Sequence, residues 1–357
     1  MTGAPRHLVS GDRARGRWRE PRRPLLPLCA RPAENETGAW SRAAPLGVEA
    51  PFHLEATVRL LQRRPANRVD LLQEGRYRRV LATADGLVLV EVWNAGSIDA
   101  PHLRYAILGG PTGRPSRAAV VATLRRVLGL DVDPGPFERL ARRAPRLRGV
   151  ARALRGMRPP RFPSLFETFA RVVPFQQLSL DAGTVIVARL VERFGATVER
   201  GDHRFFAFPE LEAIAGVRHG ALRAIGLSRQ KAATLRRAAR LILDEKLREE
   251  EIVTLRSDAA LAALMEIDGI GPWSAALILL RGFGRLDVFP AGDVGATRGL
   301  SALLDLPDGR GLEAVVERFG ARRGFLYFCS LGAQLLERGL IAPALPRGGR
   351  GPTGGRP

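Results

Sequence analysis

Chemistry is concentrated in one stretch of the chain, Leu264-Met265-Glu266-Ile267-Asp268-Gly269-Ile270-Gly271-Pro272-Trp273-Ser274-Ala275, and in the segment Leu286-Asp287-Val288-Phe289-Pro290-Ala291-Gly292-Asp293 that follows it. Apolar residues end one helix, a Gly-Ile-Gly turn follows, and Pro272 opens the next helix, where its missing N–H is harmless. Glycines in such a turn let the backbone approach a surface closely, and the free N–H groups that begin the second helix suit an anion such as one backbone phosphate. An αα-hairpin with a glycine cap would explain an isolated Gly-Ile-Gly as well. A helix of about 11 residues after the turn spans roughly 16 Å, and a return loop containing Gly282 and Gly284 then brings Asp293 back toward the mouth of the hairpin. Asp293 is also a good N-cap for a helix starting at Val294, and the two roles are compatible. Asp287 is the nearest rival carboxylate and reads as a structural loop residue.

Composition narrows the chemistry. The chain has 357 residues and a formal net charge of +20, so a polyanion is the natural partner. Cys29 and Cys329 are the only cysteines, which excludes a disulfide framework, a Cys₄ zinc site and an iron–sulfur cluster held by thiolates. His7, His53, His102, His203 and His219 lack the short spacings of a transition-metal site. Apolar runs such as Ala275–Leu280 are far short of the ~20 residues that cross a bilayer. A reduced cytosolic compartment with no membrane contact is expected, and the chain is expected to be a monomer. Lys231 and Lys246 are the only lysines and read as solvated helix residues.

The elements that must position these residues form an α+β, mainly α architecture. Residues 1–47 read as a disordered basic arm, rich in Arg, Pro and Gly, and 341–357 as a disordered tail. Residues 51–112 read as an antiparallel sheet domain with flanking helices. Its strands are Tyr77–Thr83, Leu87–Ala95 and His102–Gly109, the first two joined by a tight turn at Ala84-Asp85-Gly86, and Trp93 is expected to be buried among them. Residues 113–340 read as a helical body carrying the hairpin at 264–283 and the loop at 284–293.

Hairpin, Trp-Ser-Ala helix and D-V-F-P-x-x-D loop together resemble the helix-hairpin-helix DNA glycosylase superfamily. Phe166-Glu167, Gln176-Gln177-Leu178-Ser179, Ala188–Gly195, Gly226-Leu227-Ser228-Arg229-Gln230-Lys231-Ala232 and Arg323–Phe328 are similar to its bacterial 3-methyladenine DNA glycosylase II family, over about residues 51–340. The resemblance implies a monofunctional N-glycosylase that flips an alkylated purine out of double-stranded DNA and hydrolyses its glycosidic bond. Asp293 matches the catalytic aspartate. Trp273 matches a base-pocket aromatic, with Phe175 and Tyr327 as further candidates for which core packing is the first reading. A cationic alkylated base would be attracted to such rings.

Gly269, Ile270 and Gly271 would bind the DNA backbone, and Gln176, Gln177, Leu178 and Ser179 would also contact DNA, in the loop that fills the gap left by the flipped base. The family's intercalating apolar residue falls at Gln177, which leaves Gln177 and Leu178 both open as the wedge. The resemblance also implies a monovalent cation on the backbone carbonyls of Met265, Ile267 and Ile270, and no other cofactor. Strand-cleaving branches carry a Schiff-base lysine where this chain has Trp273, so no lyase is expected. Two other readings stay open: a glycosylase for deaminated, oxidised or mismatched bases, and a non-catalytic helix-hairpin-helix DNA-binding protein.

Overall fold

The computed structural model describes residues 41–306 and 309–344. Alternating apolar residues make β3 (Arg76–Thr83) and β4 (Gly86–Asn94) a hairpin in which Thr83 faces Gly86 across the Ala84-Asp85 turn. β5 (Leu103–Gly109), β2 (Leu71–Gln73) and β1 (Ala44–Pro45) extend it to an antiparallel sheet of order β1-β5-β4-β3-β2. α1 (Leu54–Gln62) and α2 (Arg114–Leu128) pack on this sheet, and Val58, Leu61, Val120, Leu124 and Val127 share a core with Val88, Val90 and Val92.

The sheet unit is larger than its periodicity suggests. The stretch read as an arm as far as residue 47 contains β1, whose Ala44 pairs with Tyr105, and Leu46 is buried. A two-residue strand has no period to read, and only the neighbouring edge of β5 makes it one. Residues 1–40 lie outside the described residues. α2, which a boundary at 112–113 would give to the helical body, belongs to the sheet's core. Trp93 is half-buried rather than enclosed, with the Arg76 guanidinium 4.9 Å from its ring centroid.

The body that follows comprises α3 (Gly135–Arg143), α4 (Pro145–Ala153), α5 (Leu165–Val172) and α6 (Leu180–Phe194), then α7 (Leu211–Ala215), α8 (His219–Ala224), α9 (Arg229–Leu243) and α10 (Glu249–Thr254). It ends with α11 (Ser257–Met265), α12 (Pro272–Ile278), α13 (Val294–Leu304), α14 (Leu312–Arg318) and α15 (Gly324–Glu337). Serines 164, 179 and 228 each accept a backbone N–H three residues on and so begin α5, α6 and α9. A β-hairpin, β6 (Thr197–Arg200) and β7 (His203–Phe206), interrupts the expected run of helices. Its four-residue strands are too short to announce themselves, and Phe205 and Ala207 pack on Val80 and Leu89 of the main sheet. At the far end, Ile341 and Ala344 are buried and the Ala344 N–H donates to Ala153 O at 2.8 Å, so residues 341–344, read as part of the tail, belong to the folded body. Residues 345–357 lie outside the described residues.

A buried ionic cluster joins sheet to body. Arg79 of β3 donates to Asp70 at 2.6 Å and to Glu167 of α5. Arg171 lies 2.8 Å from Asp70 and 2.7 Å from Glu167, and the Tyr77 hydroxyl donates to Asp70 at 2.9 Å. Burial alone would raise the Asp70 carboxyl, but the guanidiniums of Arg171 and Arg79 outweigh it and hold it well below the usual carboxylate range. A depressed folded-state value means that this contribution is complete above the unfolded carboxylate value near ~3.9 and declines as pH falls toward the folded one. Urea midpoints measured from pH 5 downward should therefore fall below about pH 4. Asp70→Asn should reduce that acid dependence and cost about 3–5 kcal/mol at neutral pH, because two buried guanidiniums lose a partner. An unchanged midpoint in Asp70→Asn would show that the cluster does not stabilise the fold.

Candidate active site

The hairpin is built as its residue types dictate. α11 ends at Met265, the Ile270 N–H donates to Ile267 O at 2.9 Å, and Gly269 turns the chain at φ +89°. The turn rests on α9, whose Thr234 hydroxyl donates to Asp268 O at 3.1 Å. A Cβ on Gly269 would fall 2.0 Å from that hydroxyl oxygen, so no other residue fits there. Gly271 differs: it is exposed, extended, and a Cβ there would meet nothing within 4 Å. Its bare backbone faces open space.

α12 continues through a π-helical turn, Leu279–Phe283, and Gly284 at φ +73° reverses the chain. The return segment is fastened where the Gly324 N–H, at the start of α15, donates to Leu286 O at 2.7 Å. A Cβ on Gly324 would lie 2.9 Å from the carbonyl oxygens of Leu286 and Val288, so a glycine is required for α15 to approach this closely. Asp293 is thereby delivered to α12. One carboxylate oxygen accepts the Ala296 N–H at 2.8 Å and caps α13, while the other accepts the Trp273 indole N–H at 3.1 Å. Capping thus engages only one carboxylate oxygen, and Trp273 orients the carboxylate as well as walling the cleft. Asp287 lines a separate concavity of about 870 Å³.

A cleft of about 1030 Å³ gathers Asp293, Trp273, Phe175, Tyr327, Gln176, Gln177, Leu178, Gly269, Ile270 and Gly271, drawn from segments up to 152 residues apart in sequence. Ser179, Met265 and Ile267 do not line it. Ser179 caps α6 by accepting the Ala182 N–H at 3.2 Å, Met265 is exposed on the hairpin, and the Ile267 side chain is in the core. Phe175 is half-buried, its ring seated over Gly183 of α6, where a Cβ would be 2.4 Å away. Tyr327 is a core residue that also reaches the cleft; burial raises its hydroxyl pKa.

The loop after Phe175 divides its labour. The Gln176 side-chain amide donates to Gly269 O at 2.8 Å and to Ser274 Oγ at 2.9 Å, tying the loop to the hairpin instead of facing outward. Gln177, at φ +53°, and Leu178, 42% exposed, form the tip.

Sequence reasoning missed several cleft residues, Lys231 and Arg281 among them. Lys231 is not a solvated helix residue: its ammonium donates to the carbonyls of Pro174 and Gln176. Lys246 lies beyond the end of α9, with its ammonium 3.5 Å from Asp244. Arg281, 3% exposed, sits 4.7 Å from the Phe162 ring centroid and donates to Leu60 O, and burial pushes its pKa down to about 10. The signal for Arg281 was a lone charge inside the apolar run from Ala275 to Phe283. Cys329 is buried, its thiol pushed up to about 12 by burial, and it does not line the cleft; Cys29 lies outside the described residues. No helix among the described residues is long and apolar enough to cross a membrane.

Comparisons with known proteins agree with this geometry. Residues 170–319 match the HhH-GPD superfamily base excision DNA repair protein model, and residues 44–164 match the AlkA N-terminal domain. The second match starts at β1, ahead of the boundary that the sequence suggested. The chain is 30% identical over 196 residues to a DNA-3-methyladenine glycosylase of Bacillus subtilis, covering 55% of this chain and 65% of that one. It is 31% identical over 253 residues to a probable bifunctional transcriptional activator/DNA repair enzyme AlkA of Mycobacterium tuberculosis, covering 70% of this chain and 48% of that one. It thus spans less than two thirds of either relative. The solved structure of a 3-methyladenine DNA-glycosylase from Archaeoglobus fulgidus superposes with a TM-score of 0.67 at 27% identity, over 83% of this chain and 99% of that one. With the hairpin, the aspartate loop and the N-terminal sheet domain all in place, the chain belongs to the AlkA-type family of the helix-hairpin-helix (HhH-GPD) base excision DNA repair superfamily.

Proposed function

We propose that the chain is a monofunctional DNA N-glycosylase that removes alkylated purines, of the 3-methyladenine and 7-methylguanine type, from duplex DNA. The observation that carries this reading is the Asp293 carboxylate, held by two N–H donors at the wall of a cleft bordered by the exposed Gly271 backbone. The hairpin backbone holds a phosphate, the Gln177-Leu178 tip enters the stack, and the damaged nucleotide turns into the cleft. A purine alkylated at N3 or N7 is cationic and leaves as a neutral base, taking the electrons of the C1′–N bond. Asp293 stabilises the resulting oxocarbenium-like sugar electrostatically, and water adds to C1′ and gives up a proton. Aromatic faces at Trp273 and Phe175 favour the cationic base by about 0.5–2 kcal/mol. The hairpin carbonyls of Met265, Ile267 and Ile270 offer oxygen ligands of the kind a monovalent cation takes, although one lone pair of Ile267 O already accepts the Ile270 N–H.

The product distinguishes this proposal from a lyase. Trp273 occupies the Schiff-base position, and the ammonium of Lys231, the one lysine lining the cleft, is engaged by two carbonyls. On duplexes each carrying one modified base, the strand should stay intact until alkali cleaves the abasic site, and borohydride should trap no protein–DNA adduct. Efficient trapping abolished by Lys231→Ala would reassign the chemistry. Duplexes carrying oxidised, deaminated or mismatched bases serve as the substrate controls.

A further inference from the structure

The loop that carries Gln177 and Leu178 is braced by a cation for which the chemistry above has no use. Lys231, in the first turn of α9, donates from Nζ to Pro174 O at 3.1 Å and to Gln176 O at 2.5 Å. These carbonyls flank Phe175, whose ring is itself seated on Gly183, and the second immediately precedes Gln177. Gln177 is a non-glycine residue in the left-handed region, a conformation that costs about 1–3 kcal/mol and persists only where its surroundings enforce it. From the other side, the Gln176 amide fastens the same turn to Gly269 and Ser274 of the hairpin. Burial lowers the Lys231 pKa below the usual lysine value, an expense that the two charge-assisted hydrogen bonds offset.

We infer that Lys231 is a positioning residue: its ammonium gathers the carbonyls on either side of Phe175 and so sets the left-handed turn that presents Gln177 and Leu178 to the duplex. The loop's task in this inference rests on the reading of the cleft as a glycosylase site. The lysine acts through the loop and does not touch the reacting sugar.

The test uses the full chain, a duplex with one alkylated purine, and 2-aminopurine opposite it to report unstacking. Lys231→Met keeps the apolar stem and removes the donors; Lys231→Arg restores donors. The Met variant should lose about tenfold or more in single-turnover excision, as small displacements of positioned groups do, together with the fluorescence rise, while its affinity for undamaged duplex is unchanged. The Arg variant should recover to within about threefold, under 1 kcal/mol of barrier. Wild-type rate and fluorescence in the Met variant would overturn the inference. So would a loss of undamaged-duplex affinity in step with the rate, which would make Lys231 a phosphate contact. If the Met variant does not fold, Lys231→Gln is read by the same measurements. A lysine-dependent fluorescence rise without excision by the wild-type chain would retire the proposed activity and keep the role of the lysine.

Discussion

Asp293→Asn is expected to slow excision of an alkylated purine by on the order of a thousandfold in single-turnover assays, the size of effect seen when one group aimed at developing charge is lost. The structure explains why this variant should remain folded. The amide oxygen can still accept the Ala296 N–H, and Asn caps helices as well as Asp does. What it cannot do is also accept the Trp273 indole N–H with an amide nitrogen, so one of the two present contacts is lost, at a cost of about 1 kcal/mol. Removing a negative charge beside DNA phosphates should leave duplex affinity unchanged or tighter. Near-normal excision by Asp293→Asn would sink the assignment of this carboxylate, and a parallel loss of binding would make it a DNA contact.

The second large effect separates the two hairpin glycines. Gly271→Leu should weaken binding to damaged and undamaged duplexes alike by about 10- to 100-fold, equivalent to about 1.5–3 kcal/mol for a charge-assisted contact. Backbone–phosphate contacts carry no sequence information, so the loss should not depend on the base. The protein should fold normally, because a side chain at Gly271 meets nothing within 4 Å. Gly269→Ala should behave oppositely at the level of stability: its φ of +89° and the Thr234 hydroxyl beneath it predict a lower melting temperature. Fluorescence anisotropy and thermal melts on both variants decide the matter. Unchanged affinity in Gly271→Leu would mean that the hairpin does not meet DNA.

Local physics made part of this protein legible in advance. The Gly-Ile-Gly-Pro turn, the β3–β4 hairpin around Ala84-Asp85-Gly86 and the cap role of Asp293 each depend on a few neighbouring residues, and each is where the sequence places it. The Trp-Ser-Ala helix and the aspartate loop also carried the resemblance to the family that the comparisons show.

Tertiary structure decided what depends on partners distant in the chain. Ser164 and Glu167 have the spacing of a capping box, yet only the serine caps; Glu167 is drawn inward by Arg79, 88 residues away. Lys231 looks solvated until α9 is laid beside the Pro174–Gln176 carbonyls, and nothing near Gln176 in sequence shows that its amide meets Gly269. Residues 44–45 and 197–206 become strands only because a sheet edge and face are waiting for them. In each case the deciding term is desolvation. A polar or edge group buried by the fold must find a partner, and which partner lies within about 3 Å is set by the packing of elements rather than by neighbours in sequence.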